Sequence, residues 1–291
     1  VTITAAHESP RPPAGAGFTD AVTIAFGDPA QRLYGLARIG ISEDGVSGLA
    51  VLFDGVDTVT AHAEGGLDGT AHDWDDAMAG GVRHSVVEPL RAWTLRFDDE
   101  RGNGFDLRLS ASSAPAEGDD DGEAARIGGM TGYEQLCSVE GVVRVAGRDR
   151  AVRCLGQRGH AWGVPDWNRL ELVRTVSAWL GDGDGVLLAG VRAAGAMPDI
   201  EAREAVLVAE GVPARVPEAH LTTTSDADGR QRRAGIELWT DPDRWPRRAA
   251  GEVLCGSSLD LGRLRYDCAF FGWRMEGRTG VGRYDILRRV T

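Results

Sequence analysis

Gly156-Gln157-Arg158-Gly159-His160-Ala161-Trp162-Gly163-Val164-Pro165-Asp166-Trp167 gathers two tryptophans, a histidine, an aspartate and an arginine between turn-forming residues. An ordinary core strand has no use for so many polar groups, because each one it buries must find a partner. The stretch therefore reads as one wall of a ligand site.

On both sides of it the periodicity is that of strands. Short apolar or alternating runs at residues 20–26, 32–41, 46–53, 58–63, 92–97 and 105–110 are separated by turns such as Gly-Asp-Pro, Glu-Asp-Gly and Arg-Gly-Asn-Gly. The same grammar follows at 170–180, the turn 181–185, then 186–193, 201–209, 233–239, 252–257, 263–273 and 280–288. Forty glycines and few helix-period segments point to an all-β protein of two antiparallel barrel or sandwich units. A boundary near 147–152 divides it into residues 1–149 and 150–291. Residues 111–129, with an acidic run from Glu117 to Glu123, read as a solvated loop or flexible lid, and 9–17 as a tail or edge-crossing segment.

Composition bounds the partners. A net charge of −12 disfavours nucleic acid and anionic membrane surfaces and leaves a neutral or apolar ligand. Cys137, Cys154, Cys255 and Cys268 show neither metal spacing nor a disulfide framework, as expected of free thiols in a reducing cytoplasm. There is no apolar run of membrane-spanning length and no basic and apolar leader, so a soluble, cytoplasmic protein without stable membrane insertion is expected. Phosphate loops, the GxSxG elbow and HExxH are absent, and no cofactor or metal is expected. The run His72-Asp73-Trp74-Asp75-Asp76 lacks the spacing of a magnesium-binding helix and reads as a solvated acidic loop.

Three segments together carry a resemblance: Thr131-Gly132-Tyr133-Glu134-Gln135, the strand closing in Gly141-Val142-Val143-Arg144-Val145-Ala146-Gly147, and the stretch from Gly156 to Trp167. In that order they resemble the central pattern of the AttH and carotenoid hydratase superfamily. Trp273-Arg274-Met275-Glu276-Gly277-Arg278-Thr279-Gly280-Val281-Gly282-Arg283-Tyr284-Asp285 is similar to its closing strand pair. The resemblance implies two lipocalin-like β domains over nearly the whole chain and a hydrophobic small-molecule substrate, handled by hydration, cyclisation or cycloaddition. Two departures stand out. The resemblance implies an Asp directly before the signature histidine, usual in relatives, where this chain has Gly159, and, for hydratase-type members, a Tyr-x-Asp on the returning strand, which here reads Val186-Leu187-Leu188-Ala189-Gly190-Val191.

The residues suggest acid-initiated chemistry. Protonating an alkene calls for a carboxylic acid kept neutral in an apolar pocket, and Asp166, Glu134 and Glu171 are the candidates, with Asp166 or Glu134 as donor and Glu171 in a weaker, substrate-binding role. His160 is placed as the acid's orienting partner or as base, and Arg158 as a residue that orients a carboxylate or binds a ligand oxygen. Tyr133, Trp162, Trp167, Trp179, Phe271 and Trp273 cluster around the two motifs and could stabilise a cation, whereas Trp239 and Trp245 read as packing or rim residues. The expected function is a cofactor-independent cyclase for a terpenoid or other polyene. A pericyclase on a polyketide, which would act mainly by folding its substrate, an isoprenoid hydratase and a non-catalytic carrier remain as alternatives.

Overall fold

The computed structural model describes residues 2–12, 14–67, 73–197 and 199–290. The first sheet begins with a meander of β1 (Thr19–Asp28), β2 (Leu33–Ser42), β3 (Gly45–Asp54) and β4 (Asp57–Leu67). It continues with β5 (Met78–Ala79), β6 (Val82–Glu88), β7 (Ala92–Asp98), β8 (Gly104–Ala111), the two-residue β9 (Ala116–Glu117), β10 (Met130–Val145) and β11 (Arg148–Gly163). Its order is β4-β3-β2-β1-β11-β10-β8-β7-β6-β5, with β9 beside β10.

The second sheet holds β12 (Leu170–Gly181), β13 (Asp184–Ala193), β14 (Ala202–Ala209), β15 (Val212–Val216) and β16 (Glu218–Ser225), then β17 (Gln231–Trp239), β18 (Arg247–Asp260), β19 (Leu264–Met275) and β20 (Arg278–Arg289). Its order is β15-β14-β13-β12-β20-β19-β18-β17-β16. In each sheet the first strand pairs with the last, β1 with β11 and β12 with β20, and the sheet curls into a nearly closed antiparallel barrel of the lipocalin kind.

Alternation along the strands builds three apolar layers. Val22, Ile24 and Phe26 of β1 point into the first barrel, and Phe271, Trp273 and Met275 of β19 fill the second. The outer faces pack against each other through Ala25, Tyr34, Val51, Trp179, Phe270 and Val281. Residues 156–160 of β11 are buried without a break because one face looks into the first barrel and the other onto the second.

The structure corrects several expectations. β11 pairs with β1 and β10, so the chain passes between sheets at residues 164–169; a division at 149/150 cuts the β10–β11 hairpin just after its turn. Residues 111–129 are not a free loop or lid, although Asp120, Asp121 and Glu123 are exposed. Ala114 N–H donates to the Gly211 carbonyl across the barrels, and helix α1 (Glu123–Gly128) packs Ala124 and Ile127 against Leu170, Val191 and Ala202 of the second barrel. The run around Asp73, read as a solvated acidic loop, hides a core residue: Trp74 opens a short 3-10 turn and is completely buried in the first barrel. His72 lies outside the described residues. β5, β6, β9, β15 and β16 escaped the periodicity reading.

Candidate active site

The strongest concentration of buried polar groups lies inside the first barrel, on the inward positions of β10 and β11. Tyr133 and Gln135 share the inner face of β10, Arg158 and His160 that of β11, and Trp162 continues the β11 row to the barrel mouth. His160 and Arg158 are fully buried. His160 Nε2 stands 2.7 Å from Oδ1 of Asp20, itself buried on β1, and Asp20 Oδ2 accepts the Arg11 backbone N–H at 2.6 Å.

A carboxylate beside Nε2 selects the tautomer that carries its proton there, which leaves the lone pair on Nδ1. Nδ1 has no protein partner. Around the imidazole are the rings of Trp162 at 5.1 Å, Trp74 at 5.4 Å and Tyr133 at 5.7 Å between centroids, all edge-on. The arrangement is an acid-oriented histidine in an aromatic enclosure, able to take a proton from a bound molecule and return it.

The arginine is satisfied differently. Arg158 Nη2 donates to Glu8 Oε2 at 2.7 Å, and Nη1 donates to the Tyr133 hydroxyl at 3.0 Å. Its guanidinium lies 4.9 Å from the centroid of the Trp93 ring. Glu8 reaches the barrel from the segment crossing its mouth and is 3% exposed. Burial pushes the Tyr133 phenol up, so it stays protonated as a donor. His84 stands nearby on β6; burial first, and then the Arg158 charge, hold it well below the usual histidine range and keep it neutral. At the mouth a cavity of about 150 Å³ is bordered by His7, Arg11, Thr131 and Trp162.

Residues 4–290 match the family described as a domain of unknown function, DUF7064. The chain belongs to the DUF7064 family. No curated protein sequence matches it significantly. Among solved structures, this DUF7064 chain is similar to a protein assigned as AttH from Nitrosomonas europaea, with TM-score 0.69 and 15% identity over 94% of this chain and 92% of that one. CghA, crystallised with Sch210972, gives TM-score 0.68 and 10% identity over 94% and 89%. Kievitone hydratase from Nectria haematococca gives 0.62 and 12% over 98% and 93%. These likenesses show the AttH and carotenoid hydratase-like lipocalin fold that the sequence resembles.

The DUF7064 barrels bring only part of the expected set together. Tyr133, Arg158, His160 and Trp162 meet in the first barrel. Glu134 points the other way, onto the second barrel, where it accepts from Gln157 Nε2 and, at 3.4 Å, from Arg283. Trp179 joins the same seam by donating from Nε1 to Gln157 Oε1 at 3.1 Å. Phe271 and Trp273 stack at 5.6 Å within the second barrel core, remote from His160's enclosure. Asp166 is exposed in the turn between the sheets, where its Oδ1 accepts the Asn168 backbone N–H at 2.9 Å, so the desolvation an alkene-protonating acid needs is missing there. Glu171 pairs with Arg192 at 2.7 Å and is 39% exposed, and half-buried Trp167 packs beside α1.

Gly159 stands where the structure has no room for a side chain. It pairs directly with Glu134 across β10 and β11, and a Cβ at 159 would come 2.5 Å from the Glu134 carboxylate. The neighbouring strand thus fills with an acid the space an acid at 159 would take. Sequence reading missed Glu8, Trp74, Trp93 and Asp20. Asp20 carried a signal, because it is in phase with inward-facing Val22, Ile24 and Phe26. Among the described residues no three histidine, cysteine or acidic side chains come together as a metal-binding group, and no helix is long and apolar enough to cross a membrane.

Proposed function

We propose that the protein is a cofactor-independent enzyme that binds a hydrophobic small molecule at the first barrel and rearranges it, by cyclisation or isomerisation, through proton transfer at His160. The observation that carries this reading is His160 itself: fully buried, its Nε2 on Asp20, its Nδ1 unpartnered among Trp74, Tyr133 and Trp162. Histidine held this way serves as base in one step and acid in the next: Nδ1 takes a proton from one carbon of the substrate, and the imidazolium so formed, paired with Asp20, returns it to another, while buried Trp74 and Tyr133 keep water out. Glu134 and Asp166 lose the donor role first assigned to them, since one is bound at the seam and the other is in water. A terpenoid or other polyene suits the aromatic lining. The small-molecule complex of CghA and the name of kievitone hydratase support a small-molecule enzyme on this fold.

The test is incubation of EDTA-treated protein with a panel of linear terpenoids, their epoxides and polyene acids in deuterated water, read by mass spectrometry. A rearranged product carrying solvent deuterium, lost in His160→Gln, is the expected result. An unlabelled cyclic product formed equally by His160→Gln overturns proton transfer in favour of catalysis by substrate folding alone, and recovery of unchanged ligand from every incubation overturns catalysis in favour of a carrier.

A further inference from the structure

Glu8 sits in a cradle made by other parts of the barrel. Its Oε1 accepts the Leu90 backbone N–H at 3.0 Å and the Tyr133 hydroxyl at 3.1 Å; its Oε2 accepts from Arg158 Nη2 at 2.7 Å and Trp93 Nε1 at 3.3 Å. Four donors on four separate pieces of the first barrel, the β6–β7 turn and strands β7, β10 and β11, thus converge on two oxygens. This is a complete set for one carboxylate, with a cation, a phenol, an indole and a backbone amide covering both oxygens. The donors stand on the rigid barrel; the acceptor does not. It comes from a segment whose residues 2–7 are exposed or half-buried and whose other ties to the barrel, among the described residues, are Ile3 N–H on Glu117, Arg11 N–H on Asp20, the Arg11 side chain over Trp162 at 3.6 Å, the His7 ring 6.3 Å from that of Trp162, and the Glu8 carbonyl on Trp74 Nε1.

From this we infer that the cradle is a receptor for a ligand carboxylate, with Glu8 as its built-in occupant, and that the enzyme's substrate is an apolar carboxylic acid whose head group exchanges with Glu8. The inference rests on the first barrel being the substrate site. The cradle shares Tyr133 with the enclosure of His160, whose ring centroid is 5.7 Å from the Tyr133 ring. An acid anchored here therefore lies on the inner face that carries His160, the next inward position along β11 from Arg158. Segment 2–12 covers the mouth, so exchange at Glu8 couples entry of an acid to lifting of the cover, whereas an uncharged ligand of the same shape has nothing to exchange with. The occupant acts as an intramolecular competitor that lowers the apparent affinity of every acid by the fraction of time the cradle is filled.

The probe is cis-parinaric acid, compared with its methyl ester and followed by energy transfer from the barrel tryptophans. Glu8→Gln is expected to bind the acid about tenfold or more tightly than the unmodified protein does, with little change for the ester, and Arg158→Met to abolish the preference for acid. Equal binding of acid and ester by Glu8→Gln, or no gain over the unmodified protein, overturns the inference and leaves Glu8–Arg158 a structural ion pair. Should Glu8→Gln not fold, amide hydrogen exchange on the unmodified protein decides: saturating acid, and not ester, must speed exchange at Ile3 and Arg11, and no difference between them overturns the inference. His160→Gln separates the two readings, because it keeps the preference for acid if the cradle is real even where deuterium transfer proves absent.

Discussion

Asp20 and His160 stand diagonally across the β1–β11 pairing, with Oδ1 and Nε2 2.7 Å apart and both side chains out of water. Asp20 sits opposite Trp162, and Val22 opposite His160, so the pair spans two register positions on the inner face. The relationship fixes which imidazole nitrogen is free. Asp20→Asn offers an amide that can donate to Nε2 and move the proton to Nδ1. The variant should keep its fold and lose about 10²- to 10⁴-fold in turnover, the usual contribution of a positioned proton-transfer group, with a smaller change in KM. Steady-state kinetics on the substrate found in deuterated water checks this.

The seam between the barrels has a pH signature. Asp285 of β20 is buried beside Arg283 at 3.5 Å, and burial raises its carboxyl from 3.8 to about 6, with Arg283 and the Tyr266 hydrogen bond opposing the rise. A carboxyl raised on folding contributes most when protonated: its effect is fully present below pH 3.8 and is lost as pH climbs through about 6. The difference corresponds to about 3 kcal/mol. Urea denaturation from pH 4 to 7 should therefore show the unmodified protein losing stability relative to Asp285→Asn; parallel curves for the two would mean that Asp285 is not desolvated.

Two tryptophans that look alike in sequence should behave as opposites. Trp74 is completely buried and Trp245 is 87% exposed. Trp74→Ala opens a cavity in the first barrel and leaves the Glu8 carbonyl without its donor, a loss of about 3–5 kcal/mol. Trp245→Ala should stay within about 0.5 kcal/mol of the unmodified protein. Thermal and chemical melts of both variants make the comparison.

Gly159→Asp would place a second carboxylate where Glu134 already lies, costing about 2 kcal/mol through crowding and like charge. Adding Glu134→Ala to that variant should restore at least half of the loss, because the contact responsible is one pair. A double-mutant cycle in urea reads this directly; additive losses would show that the two positions do not compete for space.

Strand periodicity was legible where inward and outward positions differ in polarity, as Trp93, Leu95 and Phe97 do from Thr94, Arg96 and Asp98 on β7. β16 was not, since only Ala219 and Leu221 of its residues 218–225 turn an apolar side chain to the second barrel's core, too short a run to stand out. The inward row of β11 was legible as chemistry, and His160 and Arg158 stood out by the density around them. Their partners did not. Glu8 is 150 residues from Arg158 and Asp20 is 140 from His160, and such pairings depend on barrel closure that no local pattern records. Asp166 misled through its neighbours: Pro165 and Trp167 suggest a dry pocket, while a turn between sheets needs an aspartate side chain to cap its own backbone. Phe271 and Trp273 lie near a family motif because that motif closes the second barrel, whose core they fill.

Strand β11 serves two interiors at once. Arg158, His160 and Trp162 belong to the first barrel, while Gln157 and Gly159 meet Glu134 at the second. Most strands in a barrel tolerate slippage on their solvent side; this one has no solvent side over 156–160. Inserting or deleting a single residue between the hairpin turn and Gln157 would turn the strand inside out, sending the imidazole and guanidinium into the seam and a glutamine and a glycine into the pocket. The segment is thus where the chain can least afford a change in length, even though substitutions at single positions along it would be felt in only one barrel.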